Sequence, residues 1–98
     1  MLRSSFAACA ATIVGAQAAN ELLNIKGVRA SFVCTEYQNQ IYVSARSIDE
    51  VNVQVIMEKL GGGGHMSSAG CQLENVNAEQ AIEIVKETLD KMIEEGEL

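Results

Sequence analysis

The chain has 98 residues, of which 48% are hydrophobic and 20% charged, with a formal net charge of −6. This length and composition are typical of one globular domain, so residues 1–98 are treated as a single domain. Most acidic residues lie beyond residue 73, and the preceding part carries five acidic and five basic residues. No basic stripe is therefore available to bind long DNA or RNA.

The first predicted element covers residues 5–23. Its start resembles a secretory signal peptide, with Ala16-Gln17-Ala18 placed like a cleavage site. The apolar periodicity continues past that site to Leu22, so the pattern favours an amphipathic helix. No stretch reaches the roughly 20 apolar residues of a membrane span.

An antiparallel hairpin is predicted next. Residues 28–35 alternate, with Phe32 and Cys34 on one face and Arg29 and Ser31 on the other. Residues 41–45 alternate likewise, and the polar segment 36–40 separates the two runs. Two alternating runs joined by a short polar loop are typical of a hairpin.

Two more helices and a strand complete the predicted fold. Ser47 and Glu50 match a capping box, which predicts a helix from residue 48 to Leu60. A strand over residues 69–73 follows, and Asn77 with Gln80 forms a second capping box for the last helix. The apolar positions expected to face the core are Ile48, Val51, Val55 and Ile56 in the first of these helices, and Ala78, Ile82, Val85, Leu89 and Met92 in the last. We therefore predict an α+β (mixed α/β) fold, a small mixed sheet with an antiparallel hairpin, packed with about three helices.

The cysteines indicate neither a disulfide framework nor a zinc site. Cys9, Cys34 and Cys71 are odd in number and widely spaced, and no C-x-x-C pattern occurs. Because free cysteine commonly packs as a small hydrophobic residue, we predict reduced, buried thiols in a cytosolic protein.

Four consecutive glycines, residues 61–64, precede His65, the one histidine of the chain. One glycine suffices to end a helix, and each further glycine costs conformational entropy on folding. Successive backbone N–H groups can form an anion-binding concavity, so the run favours a phosphate or nucleotide loop. A flexible connector is the alternative. The pattern matches neither a Walker motif nor G-x-G-x-x-G.

Arg46 is the second candidate for phosphate binding. In the alternation it points with Tyr42 and Ser44, away from Val43 and Ala45. A guanidinium at a strand end can bind phosphate through two parallel hydrogen bonds. The alternative is an ordinary surface arginine.

The chain offers little for catalysis. It has one histidine, no H-x-x-x-H or H-x-D pattern and no clustered Asp, so a metal site is not expected. Ser67 and Ser68 have no second basic partner besides His65. We therefore expect this chain to bind its ligand and, by itself, to be inactive.

Residues 62–70 (GGGHMSSAG) resemble the GGGH-x-x-A-A-G signature of the DHH-associated domain, the C-terminal part of DHH-family phosphoesterases. Residues 44–47 (SARS) and 52–58 (NVQVIME) make the chain most similar to cyclic di-AMP phosphodiesterases of the GdpP type. Ser68 departs from the signature, which has alanine there, although it is still small.

The resemblance implies a division of labour. A preceding DHH domain, none of whose motifs occurs in this chain, would hold manganese and activate water, and this domain would bind the nucleotide or cyclic dinucleotide. The substrate-binding residues it implies are Gly62, Gly63, Gly64, His65 and Arg46, with Ser44 and Asn52 added. No catalytic residue, metal or cofactor is assigned to this chain.

Two alternatives stay open within this resemblance. In the first alternative, the substrate is a short RNA oligonucleotide or adenosine bisphosphate. In the second, the domain is a tRNA-contacting or oligomerisation module like the related domain of alanyl-tRNA synthetases. We expect a cytoplasmic domain of a bacterial protein. The resemblance leaves open whether the domain forms a homodimer and whether the parent protein is anchored in a membrane.

Overall fold

A computed structural model describes residues 7–11, 28–48 and 51–97, and for 7–11 it describes the backbone alone. These residues form five strands and two helices. The strands are β1 Ala7–Ala11, β2 Ala30–Tyr37, β3 Gln40–Ser47, β4 Gly63–Gly64 and β5 Ser68–Glu74; the helices are α1 Val53–Lys59 and α2 Ala78–Glu94.

The strands form one mixed sheet in the order β1-β2-β3-β5-β4. β1 pairs with β2 in parallel, and the other three pairs are antiparallel. The predicted α+β class and mixed sheet with a hairpin are confirmed. The predicted number of about three helices is slightly off, since the described part of the chain contains two, and neither is long and apolar enough to cross a membrane.

The start of the predicted first helix is wrong. Ala7–Ala11 is a strand, whose residues pair with those of β2 from Ala30 to Cys34. Helix propensity is a weak prior that tertiary pairing often overrides, and a short alanine-rich run does not distinguish helix from strand. The rest of that predicted helix, residues 12–23, lies outside the described residues.

The predicted hairpin is confirmed, with longer strands and a tighter turn. β2 and β3 are joined by Gln38 and Asn39 alone, which have φ angles of 52° and 65°. Positive φ at both central residues is typical of the type I′ turn, whose twist matches that of the strands it joins.

One face of the sheet supports the hydrophobic core. Phe32 of β2 and Ala45 of β3 lie opposite each other on this face and are completely buried, and both helices contribute to the same core. Ser31 and Val33, on the opposite face of β2, are also fully buried. β2 lies between β1 and β3 in the sheet, and its side chains from Ala30 to Cys34 are buried on both faces of the sheet.

The predicted start of α1 is wrong. Its N-cap is Asn52, whose Oδ1 accepts hydrogen bonds from the backbone N–H groups of Gln54 and Val55 at 3.0 and 3.3 Å. Ser47 instead ends β3. Because the helix starts at residue 53, Ile48 precedes it and is exposed, and Val55 lies on its exposed side.

The predicted capping box of α2 is confirmed. Asn77 Oδ1 accepts from Gln80 N at 2.8 Å, and the Gln80 side chain accepts from Asn77 N at 2.9 Å. The buried stripe comprises Ala81, Val85, Leu89 and Met92, whereas Ala78 and Ile82 are only partly buried against the core.

Cys34 and Cys71 are buried, reduced thiols that take part in no disulfide, as predicted. Burial raises the pKa of the Cys71 thiol to about 11. Since the thiolate is the nucleophilic form, this raised pKa makes Cys71 less reactive at neutral pH than an exposed cysteine. The side chain of Cys9 lies outside the described part of the molecule.

Candidate substrate-binding site

The glycine run begins as the end of α1. Gly61 has a φ of 87° and donates to Glu58 O at 3.1 Å, and Gly62 N–H donates to Met57 O at 2.8 Å. This pair of bonds is the Schellman motif, which places a glycine directly after the helix C-cap. The first two glycines therefore have a structural role in ending the helix.

Gly62 and Gly64 are also required by close approach of the backbone to β5. A Cβ on Gly62 would collide with Gly70 O and with the Cβ of Cys71. A Cβ on Gly64 would lie 2.5 Å from Ala69 Cα, and Gly64 has a φ of 144°. Only glycine fits at both positions.

Gly63 is different. A Cβ at this position would meet no atom within 4 Å, and Gly63 is not among the glycines with positive φ. Among the residues that the structure describes, neither backbone conformation nor packing requires a glycine there. A glycine without an internal reason is expected where something outside the fold approaches the backbone.

His65 is held at the start of a tight turn between β4 and β5. His65 N donates to Ser68 O at 2.7 Å, and Ser68 N donates to His65 O at 3.3 Å. The two residues therefore continue the β4–β5 ladder by one pair, and Met66 and Ser67 form the tip of the turn. The backbone of His65 is fixed although its side chain is exposed.

Ser47 anchors this turn to the body of the domain. Its N–H donates to Ser67 O at 3.0 Å. Its hydroxyl lies 2.6 Å from Val51 O and 3.2 Å from Met66 O. Val53 N donates to Met66 O as well, at 2.9 Å, so two backbone donors and one side chain hold the tip.

Ser47→Ala is expected to lower the free energy of unfolding by about 2 kcal/mol, because Val51 O loses the buried hydrogen bond that the Ser47 hydroxyl donates at 2.6 Å. Urea unfolding followed by circular dichroism measures this loss. Ser67→Ala, in the exposed tip of the same turn, is the control and should change stability by less than about 0.5 kcal/mol. Equal unfolding midpoints for the two variants would contradict the anchoring role.

The register of the sheet brings Arg46 and His65 into one cross-strand row. Arg46 pairs with Ser68, and Ser68 pairs with His65. Directly opposite residues project to the same face of a sheet. Two strand spacings separate the backbones of Arg46 and His65, which is about 10 Å. We call these three residues the Arg46 row.

The next row on the same face is made of very small residues. Ser44 pairs with Gly70, and Gly70 pairs with Gly63. Two of these three residues lack a Cβ, so few side-chain atoms of the row itself cover its half-buried backbone. We call these residues the glycine row.

The outer edge of β4, the last strand in the described part of the sheet, adds a backbone donor. His65 and Ser68 exchange both hydrogen bonds, so the preceding pair, Gly64 and Ala69, is a non-hydrogen-bonded pair of the ladder. In such a pair the N–H points away from the partner strand, and β4 is at the edge of the sheet. The Gly64 N–H therefore lies beside His65 at an edge able to bind an anion.

Arg46 provides the permanent positive charge of the two rows. Its Nη1 donates to Ala45 O at 2.8 Å, and the side chain is half-buried. A guanidinium has five N–H donors, so this bond leaves several for a ligand. Because one edge of the guanidinium is already held, less side-chain entropy is lost when an anion binds.

The predicted residues Ser44, Gly63, Gly64, His65 and Arg46 are thus brought together. Asn52 lies in neither row, since it caps α1. Gly62 has its N–H bonded to Met57 O. The substrate-binding roles of these two residues, like those of the other five, stay predictions.

Sequence reasoning missed Ser68 and Gly70, which connect β3 to β4 in the two rows. Ser68 and Gly70 are two residues apart in β5, so strand alternation places them on the same face, and this spacing could have identified them from the sequence. No group of three His, Cys, Asp or Glu side chains that could hold a metal occurs in the residues that the structure describes.

The sequence profile of the DHHA1 domain matches residues 8–95. The chain belongs to the DHHA1 domain family. The resemblance carried by the glycine–histidine signature is therefore confirmed, and the two rows described above lie within this DHHA1 domain.

Two curated relatives are similar to this DHHA1 domain. It is 52% identical over 71 residues to the cyclic-di-AMP phosphodiesterase PdeA of Listeria monocytogenes. It is 45% identical over 82 residues to the cyclic-di-AMP phosphodiesterase GdpP of Bacillus subtilis. These matches cover 71% and 83% of this chain but 11% and 12% of the relatives, so the chain spans a small part of their length.

A solved structure shows the same fold. An exopolyphosphatase-related protein from Bacteroides fragilis superposes with a TM-score of 0.70 at 27% identity. The match covers 76% of this chain and 22% of that protein.

Proposed function

We propose that this DHHA1 domain binds the nucleotide substrate of a manganese-dependent DHH-family phosphodiesterase that cleaves cyclic di-AMP to linear pApA. The observation that carries the proposal is Gly63, the one glycine of the run that neither its backbone conformation nor packing against the described residues requires. It lies in the row next to Arg46 and His65. An open backbone beside a guanidinium and an imidazole suits a phosphate group.

The residues of this chain would hold and orient the substrate. The Arg46 guanidinium donates to one phosphate oxygen or bidentately to two, and the His65 imidazole N–H and the Gly64 backbone N–H donate from the opposite side. A phosphate fixed from two sides keeps the scissile bond in one orientation, which lowers the entropic cost of attack.

The cutting step is assigned to a DHH domain of the parent protein. The described residues of this chain do not fit a manganese centre, since they offer no cluster of three ligands. Manganese, when bound by the DHH domain, would supply an activated water. Cyclic di-AMP as substrate is supported by the similarity to two phosphodiesterases named for it.

Titration of the 98-residue chain with ligands tests the proposal. We expect weak, saturable binding of cyclic di-AMP and linear pApA, measured by calorimetry or by amide shifts of Gly63 and Gly64. Stronger binding of short RNA oligonucleotides or adenosine bisphosphate would favour those substrates instead. Retardation of tRNA in a low-salt gel, without binding of any nucleotide, would replace the proposal by a tRNA-contacting module.

The chain alone is expected not to hydrolyse cyclic di-AMP, with or without added manganese. The reason is that its candidate site contains donors for phosphate but no set of metal ligands. Chromatographic detection of pApA after long incubation measures this. Turnover that purifies with the 98-residue chain would contradict the assignment of cutting to another domain.

A further inference from the structure

A third cross-strand row continues the same face of the sheet beyond the glycine row. It consists of Thr35, Tyr42 and Gln72, which pair with one another across β2, β3 and β5. Tyr42 is two residues before Ser44 on β3, so the rows are about 7 Å apart. All three side chains are uncharged, and Tyr42 is 38% exposed.

Hydrogen bonds hold the Tyr42 ring on this surface. Its hydroxyl donates to Gln40 Oε1 at 3.1 Å, and Gln72 Nε2 donates to the same oxygen at 2.6 Å. Gln40 is the next residue along β3 on this face, on the side away from Ser44. The ring tip is therefore fixed away from the glycine row, and the base of the ring borders it.

The three rows follow the order of groups in a nucleotide. The Arg46 row is cationic and suits a phosphate. The glycine row has two residues without a Cβ, which leaves room for a sugar. The third row offers an aromatic ring. A row without a cationic side chain cannot hold a second phosphate well, whereas an aromatic ring stacks on any nucleobase.

We propose that Tyr42 is the platform on which the nucleobase of the bound nucleotide stacks. This inference rests on the function proposed above, because it requires a phosphate at the Arg46 row. Tyr37, the second tyrosine of the chain, shares the face but lies one row farther away, about 14 Å from Ser44. It is 58% exposed and is the matched control.

The test compares a ligand that has a base with one that lacks it. The 98-residue chain is titrated with adenosine 5′-monophosphate and with ribose 5-phosphate, following the amide shifts of Gly63 and Gly64. Tyr42→Ala is expected to weaken binding of the nucleotide about tenfold and to leave binding of the sugar phosphate unchanged. Tyr42→Phe should keep nucleotide binding within about twofold, because the ring face is retained. Tyr37→Ala should change the binding of neither ligand.

Two readouts separate this inference from the proposed function. His65→Ala should weaken both ligands, since it removes a phosphate donor. Suppose that His65→Ala weakens the binding of both ligands, whereas Tyr42→Ala either leaves the binding of both unchanged or weakens both equally. The proposal that Tyr42 stacks on the base is then wrong, and the phosphate site stands. If wild-type protein binds neither ligand, the proposed function fails and the platform with it.

A measurement on the wild-type protein covers the case in which Tyr42→Ala fails to fold. Contacts between the adenine protons and the Tyr42 ring protons, seen as intermolecular nuclear Overhauser effects, are expected at saturating nucleotide. Contacts of the adenine to Tyr37, or to no tyrosine, would overturn the proposal.

Discussion

Arg46→Ala is expected to weaken the binding of linear pApA by between about tenfold and a hundredfold. Hydrogen bonds to charged groups contribute about 1.5–3 kcal/mol each, and this variant removes the one permanent charge of the two rows. Arg46→Lys should recover part of this loss, because it restores the charge but not the planar fork of donors. Calorimetric titration of the three proteins at one salt concentration measures the difference.

Lys86→Ala is the control for net charge in this experiment. Lys86 lies on the exposed side of α2, so its removal changes the total charge equally but leaves both rows intact. Binding by this variant should match that of the wild type within about twofold, because exposed charges separated by more than about 10 Å are largely screened at moderate salt. Equal binding by Arg46→Ala and Lys86→Ala would remove Arg46 from the site.

The glycines should separate stability from binding. Gly62→Ala is expected to lower the free energy of unfolding by about 3 kcal/mol, since its Cβ would collide with the backbone of β5. Gly64→Ala adds strain to a similar collision, because its φ of 144° is a conformation that other residues rarely adopt. Gly63→Ala should be neutral or stabilise by about 0.5 kcal/mol, since a Cβ there meets open space.

The three glycine variants are expected to rank differently in ligand binding than in stability. Gly63→Ala should fold like the wild type and yet bind pApA at least about tenfold more weakly, because a methyl group would keep a close phosphate or sugar off the backbone. Urea unfolding and calorimetry on the same preparations give both quantities. A Gly63→Ala protein with unchanged affinity would show that the ligand does not approach this part of the sheet, whatever the stability results.

Some elements were predictable because local contacts determine them. The β2–β3 hairpin follows from two alternating runs, and the start of α2 follows from Asn77 and Gln80, three residues apart. In both cases the interacting groups are close along the chain. The family was predictable as well, because its signature occupies a continuous segment of nine residues, 62–70.

Other elements were not predictable from local pattern. Ser47 and Glu50 have the spacing of a capping box, but the Ser47 hydroxyl lies next to Val51 O and Met66 O, and the second of these belongs to a distant turn. Ala7–Ala11 has a composition that favours helix, but it pairs with β2. A contact between distant segments outweighed the local preference in each case.

By itself the sequence determined the fold class, the hairpin and the segment that contains the candidate site, because each depends on neighbouring residues. It also placed Tyr42, Ser44 and Arg46 on one face of β3 by alternation. Only the tertiary structure decided that Arg46 shares a row with His65, because that depends on the register of β3 against β5. Only the tertiary structure separated Gly63 from its neighbours. It shows that Gly61 adopts a positive φ and that a Cβ on Gly62 or Gly64 would collide with β5, whereas neither constraint applies to Gly63 among the described residues.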